Sequence, residues 1–141
     1  MKSLFIIFSL LLVNNSMSVA QCNKKVVLTA SETTCLDSSG TVKRTASEKS
    51  VVRINPTDVI INVNDEHETK CPIKSATCNW SIPFKQGKTS IKAIFTKEGE
   101  EKNITIDIEG KEGKITLLFK MEEEPNEIIK VVMDKFEEEK G

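Results

Sequence analysis

The sequence predicts an all-β fold, a small antiparallel meander barrel or sandwich of about eight to ten strands. Two observations carry that expectation. Between Lys88 and Met121 three successive runs alternate apolar and polar residues, the period-two pattern of half-buried strands. Between them stand polar clusters with glycine, Glu98-Gly99-Glu100-Glu101 and Glu109-Gly110-Lys111-Glu112-Gly113, which suit short hairpin turns.

The N-terminus comes first in chain order and reads differently. Met1-Lys2-Ser3 gives a basic start, and Leu4 to Leu12 is apolar except for Ser9. That run is too short for a bilayer, which needs roughly 20 apolar residues. Ser18-Val19-Ala20 then supplies the small residues of a cleavage site, so residues 1–20 read as a secretory signal peptide. Val19-Ala20-Gln21-Cys22 approaches a lipobox, but Gln21 is not small, and lipidating Cys22 would strand three cysteines. Residues 21–136 are expected to form one domain, followed by a charged tail over 137–141.

Within the domain, Lys25 to Thr29, Val42 to Thr45 and Val51 to Ile54 read as strands of weak pattern. Asn55-Pro56 signals a turn, after which Val59, Ile61 and Val63 alternate with polar neighbours. Ala76, Cys78, Trp80, Ile82 and Phe84 fall on one face of the next strand. In the best-defined segment, Ile91, Ala93 and Phe95 share a face, as do Ile104, Ile106 and Ile108, and then Ile115, Leu117, Phe119 and Met121. The C-terminal segment reads as a closing strand or a short helix. Ile128, Ile129, Val132, Met133 and Phe136 sit at helical spacing, whereas Ile129-Lys130-Val131-Val132 is β-branched and suits a strand.

The four cysteines, Cys22, Cys35, Cys71 and Cys78, all follow the signal segment. In an exported chain an even set implies disulfides, with three connectivities open to four cysteines. Proximity in sequence favours Cys22–Cys35 with Cys71–Cys78. Gaps of twelve and six residues lack the closely paired knuckles of a structural zinc site.

The layout resembles small exported lipocalin-like proteins of bacteria. The resemblance rests on Val51-Val52-Arg53-Ile54 turning into Val59-Ile60-Ile61-Asn62-Val63, and on the strand–turn–strand run from Thr89 to Met121. It implies a barrel. The Gly-x-Trp that lipocalins carry on their first strand is absent, because the single tryptophan, Trp80, follows Cys78-Asn79 in mid-chain. No residue-level role is therefore implied.

Chemistry is constrained mainly by exclusion. His67 is the only histidine, set in the charged stretch Asn64-Asp65-Glu66-His67-Glu68. No nucleophile elbow, Walker loop, His-Glu-x-x-His or dinucleotide fingerprint occurs. No catalytic residue, metal ligand or cofactor is expected, and the protein reads as a non-enzyme. Lys2 is the only charge in residues 1–20, so cleavage takes the formal net charge from −1 to −2. Such a balance does not suit nucleic acid. No second long apolar run follows, so no transmembrane span is expected in the mature chain. Asn79-Trp80-Ser81 and Asn103-Ile104-Thr105 are glycosylation sequons.

The expected function is that of a secreted, extracellular or periplasmic interaction or envelope accessory protein with an unidentified protein partner. The alternative is a carrier of a small apolar ligand, lined by Trp80, Phe84, Phe95 and Phe119. A cavity above about 300 Å³ would favour the carrier, and a filled interior with an exposed apolar patch the interaction protein.

Overall fold

The computed structural model describes residues 21–139. The signal segment 1–20 and the last two residues of the tail lie outside the described residues. A short 3₁₀ turn, Gln21–Asn23, precedes nine strands: β1 Val26–Leu36, β2 Val42–Ile54, β3 Asp58–Val63, β4 His67–Ile82, β5 Gln86–Lys97, β6 Glu100–Lys111, β7 Lys114–Met121, β8 Glu124–Met133 and β9 Lys135–Glu138. Every pairing is antiparallel, each strand from β1 to β8 lies beside the next in sequence, and β1 closes the sheet against both β2 and β8. The result is an eight-stranded meander barrel with one extra C-terminal strand.

The C-terminal segment is a strand. β9 keeps the register of β8 against β1, since Thr34 faces Lys130 in one ladder and Thr29 faces Lys135 in the other. Asp134 N–H donates to the Thr29 carbonyl at 2.8 Å and bridges the break between them. Glu137 and Glu138, expected in a solvated tail, are instead paired with Val27 and Val26.

The period-two pattern translates directly into two faces. Ile91, Ala93, Ile104, Ile106 and Ile108 are buried inside the barrel. Asp107 stands on the outer face, accepts a hydrogen bond from the Ser90 hydroxyl and lies 3.9 Å from Lys120 Nζ. Lys88, Lys92, Glu109 and Lys120 also belong to the outward set by alternation. Apolar inside and charged outside is the reverse of a lipid-facing barrel, and no helix among the described residues is long and apolar enough to cross a membrane. Glu98-Gly99 and Glu112-Gly113 have positive φ at both positions, as type I′ hairpin turns require.

Two features escaped the pattern. Val42–Ile54 is one strand although Ala46 to Ser50 shows no apolar–polar alternation: the polar Glu48 and Ser50 take inward positions where β2 passes a bulge opposite Ala30–Glu32 of β1. Ile82 is 48% exposed and does not share the inner face with Trp80, because the register shifts between the two residues.

The expected disulfides are corrected. Cys22 bonds to Cys78, with their Cα atoms 5.6 Å apart, while Cys35 and Cys71 are free thiols. The reason is strand geometry. Cys71 and Cys78 lie on the single extended strand β4, so seven steps of about 3.3 Å put them roughly 23 Å apart, against a limit of about 7 Å for a disulfide. Cys35 is carried to the far end of β1, away from the turn that holds Cys22.

Candidate functional site

The barrel has two ends of different construction. At the end formed by the start of β1 and the β4–β5 turn, Trp80 is buried and its indole N–H donates to Thr89 Oγ1 at 2.7 Å. The Thr89 hydroxyl in turn donates to Cys78 Sγ at 3.5 Å, tying the ring to the disulfide. Phe136 of β9 packs on Trp80 with ring centroids 5.5 Å apart, and on Phe84 edge-on at 4.8 Å.

Two glycines make room for the indole. A Cβ on Gly87 would lie 2.5 Å from the Asn79 carbonyl oxygen, and one on Gly110 would lie 2.6 Å from the Trp80 ring. Gly110 reads in the sequence as part of a turn, yet it sits within β6. Phe84 follows Pro83 in a turn closed by Lys85 N–H to the Ile82 carbonyl at 3.1 Å, and has φ +63°. This is the third position of a type II turn, where glycine is usual. Only about 40 Å³ of space remains among these groups. Trp80 and Phe84 are thus parts of a plug.

The opposite half of the barrel is hollow. A cavity of about 250 Å³ lies among the inward side chains of Val52, Ile61, Val63, Phe95, Phe119 and Ile129, with Leu117, Met121, Val131 and Met133 completing its apolar wall. Phe95 and Phe119 meet edge-on at 5.9 Å. Of the four aromatic residues expected to line a ligand, the structure brings these two together at the cavity and places Trp80 and Phe84 at the other end. The polar contribution comes from Thr33, Ser50, Thr69 and Glu48. Thr33 is 6% exposed, and its Oγ1 has no hydrogen-bond partner among the described residues.

The wall of this half is not continuous. β4 pairs with β5 only from Ile73–Ala93 toward the plug, leaving His67–Pro72 of β4 and Ile94–Lys97 of β5 unpaired with each other. Ile73 N–H donates toward the β3 side, to the Thr57 carbonyl at 2.9 Å. By alternation the nitrogen of Pro72 faces β5, and proline has no N–H to give. Thr69 and Phe95, on the two sides of this gap, both line the cavity.

Around the rim, Cys35 of β1 faces Arg44 of β2. The neighbouring Cys35 sulfur holds the exposed Arg44 guanidinium above the usual arginine pKa. Cys71, fully enclosed, is different: burial pushes its thiol from 9.0 up to about 11, with Asp58 adding to the shift.

The remaining candidates are dispersed. His67 is exposed at the start of β4, and Asn79 is exposed on the outer face of that strand. Asn103 is half-buried and accepts from Lys74 Nζ at 3.3 Å. No group of three or more His, Cys, Asp or Glu side chains disposed to hold a metal occurs among the described residues. No family model, curated protein or solved structure matches the chain.

Proposed function

We propose that this protein is an exported, non-enzymatic binding protein whose hollow half takes up a small apolar ligand. The reading rests on one observation: a single barrel with an apolar interior is filled at one end and holds an open-mouthed cavity of about 250 Å³ at the other. At about 250 Å³ the cavity falls short of the roughly 300 Å³ at which sites for drug-sized molecules begin, but cavities of about 150 Å³ with apolar walls already bind benzene. The occupant is therefore small. An internal disulfide and the hydrophobic N-terminal segment support export. The barrel also supports the lipocalin-like reading, as a likeness of architecture.

The test is titration with the neutral dye N-phenyl-1-naphthylamine, whose emission rises in apolar surroundings. Saturable binding is expected, and Val63→Trp, which fills the cavity from its wall, should abolish it while leaving the thermal midpoint within a few degrees. Binding that survives this substitution, or no saturable binding by the unaltered protein, overturns the carrier.

A second reading, an interaction protein that accepts a partner's strand, also has an observation behind it. Val42–Lys49 of β2 extends past the β3 ladder, which ends at Ser50, and so presents an edge. Lys43, Arg44, Glu48 and Lys49 lie along that edge, and charges are the usual protection against strand addition. The carrier is favoured for that reason.

A further inference from the structure

We propose that Glu48 anchors the head of the ligand, and that the ligand is a small apolar amine whose ammonium group pairs with this carboxylate. This rests on the carrier reading and narrows its ligand class. The fold sets Glu48 on the inner face. Exposure alternates along β2 from Ala46 to Ile54, and Glu48 falls in phase with the buried Ser50, Val52 and Ile54. It stands where β2 passes the bulge opposite Ala30–Glu32, an irregularity of the kind that re-aims side chains. Glu48 lines the hollow half and, being half-buried, is not sealed off from it. It is the only ionisable residue of the lining, and it takes part in no ion pair among the described residues. Arg44, in the same phase further along β2, feels the Glu48 charge but faces Cys35 and does not line the cavity. A carboxylate that borders an apolar space without a counter-charge favours a cation there and repels an anion.

The apolar body of such a ligand has its own place. In the ring of eight strands β2 stands opposite β6, and Phe95 of β5 and Phe119 of β7 lie on either side of β6. The two rings, which meet edge-on, therefore face Glu48 across the lumen. A molecule spanning this space presents its ammonium to the carboxylate and its aromatic or alkyl body to the rings. Benzene is held in about 150 Å³, so about 250 Å³ leaves room for one ring and a short aminoalkyl chain.

The experiment displaces N-phenyl-1-naphthylamine at pH 7 with 2-phenylethylamine, which is protonated there as a lysine amine is, with 2-phenylethanol and with 3-phenylpropanoate. The unaltered protein should prefer the amine over the alcohol by about tenfold, the worth of a hydrogen bond to a charged group, and the carboxylate should compete least. Glu48→Gln keeps the size of the side chain and should erase the preference for the amine while retaining dye binding. Glu48→Lys should invert the order of the amine and 3-phenylpropanoate, which a change of packing alone would not do. Equal competition by amine and alcohol, a preference unchanged in Glu48→Gln, or an order unchanged in Glu48→Lys overturns the anchor while the dye still reports a carrier. Failure of the dye itself to bind removes the carrier, and the anchor with it.

Discussion

The two halves of this barrel are made from the same kinds of residue and end in opposite states. At the plugged end an indole, two phenyl rings and a disulfide meet, and each polar atom of the group is engaged: Trp80 N–H on Thr89, Thr89 on Cys78. At the hollow end two phenyl rings meet across space, and the Thr33 hydroxyl is unpaired among the described residues. Apolar composition alone does not separate a core from a pocket. The difference lies in what enters the barrel from outside the eight-stranded wall. β9 brings Phe136 across one end, the β4–β5 turn folds Phe84 beneath it, and Gly87 and Gly110 let the indole sink between strands. Among the described residues nothing comparable crosses the other end, where Pro72 releases β4 from β5 and the wall parts. Stability and binding are on this view divided between the ends.

The comparison is broken most directly by removing one aromatic side chain from each half. Trp80→Ala deletes a buried ring and leaves a void in the plug, for an expected loss of about 4 kcal/mol. Phe95→Ala enlarges a space that already exists, and its side chain is only half-buried, so about 1–2 kcal/mol is expected. Urea midpoints of the two variants measure the contrast. Equal losses would mean that the hollow half is as tightly packed as the plug.

The disulfide comes next in size. Cys22–Cys78 closes a loop with a sequence separation of 56, and the chain-entropy estimate gives about 4 kcal/mol, with measured cases commonly about 2–4. Cys22→Ser should therefore lower the midpoint by nearly as much as Trp80→Ala. The unaltered protein, unfolded without reductant, should yield two reactive thiols, Cys35 and Cys71. In the folded state at pH 8, Cys71 should be alkylated far more slowly than Cys35, being fully enclosed.

How much of this contrast can be read from residues alone depends on which physical signal carries it. The meander from β5 to β7 is legible because alternation and paired Glu-Gly turns specify faces and hairpins locally. The closing strand is half legible, since β-branched residues favour it while the spacing also fits a helix. The cysteine pairing is not, because nearness along an extended strand means distance in space. Gly110 carries the same letter in a turn as beside an indole, and its position within a strand appears only once Glu112-Gly113 is known to make the turn. The hollow itself has no sequence signal. Ile61 and Ile106 occupy the same phase of the same pattern, yet one borders a cavity and the other is fully buried.

A pH experiment sharpens the comparison at the level of β4, between the two ends. The folded protein holds the Cys71 proton up to about pH 11, against 9.0 for an unperturbed thiol. Between those values the unfolded chain loses the proton first and binds fewer protons than the folded one, so stability from this group falls as pH rises through that window. Below pH 9 the contribution is fully present. Cys71→Ala should remove this part of the alkaline decline, so the stability gap between the two proteins should narrow from pH 8.5 to 11. A constant gap would show that the thiol reaches solvent, and hence that the gap beside Pro72 lets water deeper into the barrel than its enclosed position implies.

The smallest expected effect comes from two opposed terms in the plug. Phe84 holds φ +63°, a conformation costing of order 1–3 kcal/mol for a residue with a Cβ, and contributes its edge-on contact with Phe136 in return. Phe84→Gly relieves the first and forfeits the second, which for a half-buried aromatic ring is worth about 2–3 kcal/mol. The net loss should be about 1 kcal/mol, well below that of Trp80→Ala. Phe84→Ala retains the backbone strain and loses most of the contact, so its midpoint in urea should fall further than that of the glycine variant. That order identifies packing as the force that keeps the turn in place. If the alanine variant is the more stable of the two, the turn does not hold the left-handed conformation in solution, and the plug closes without it.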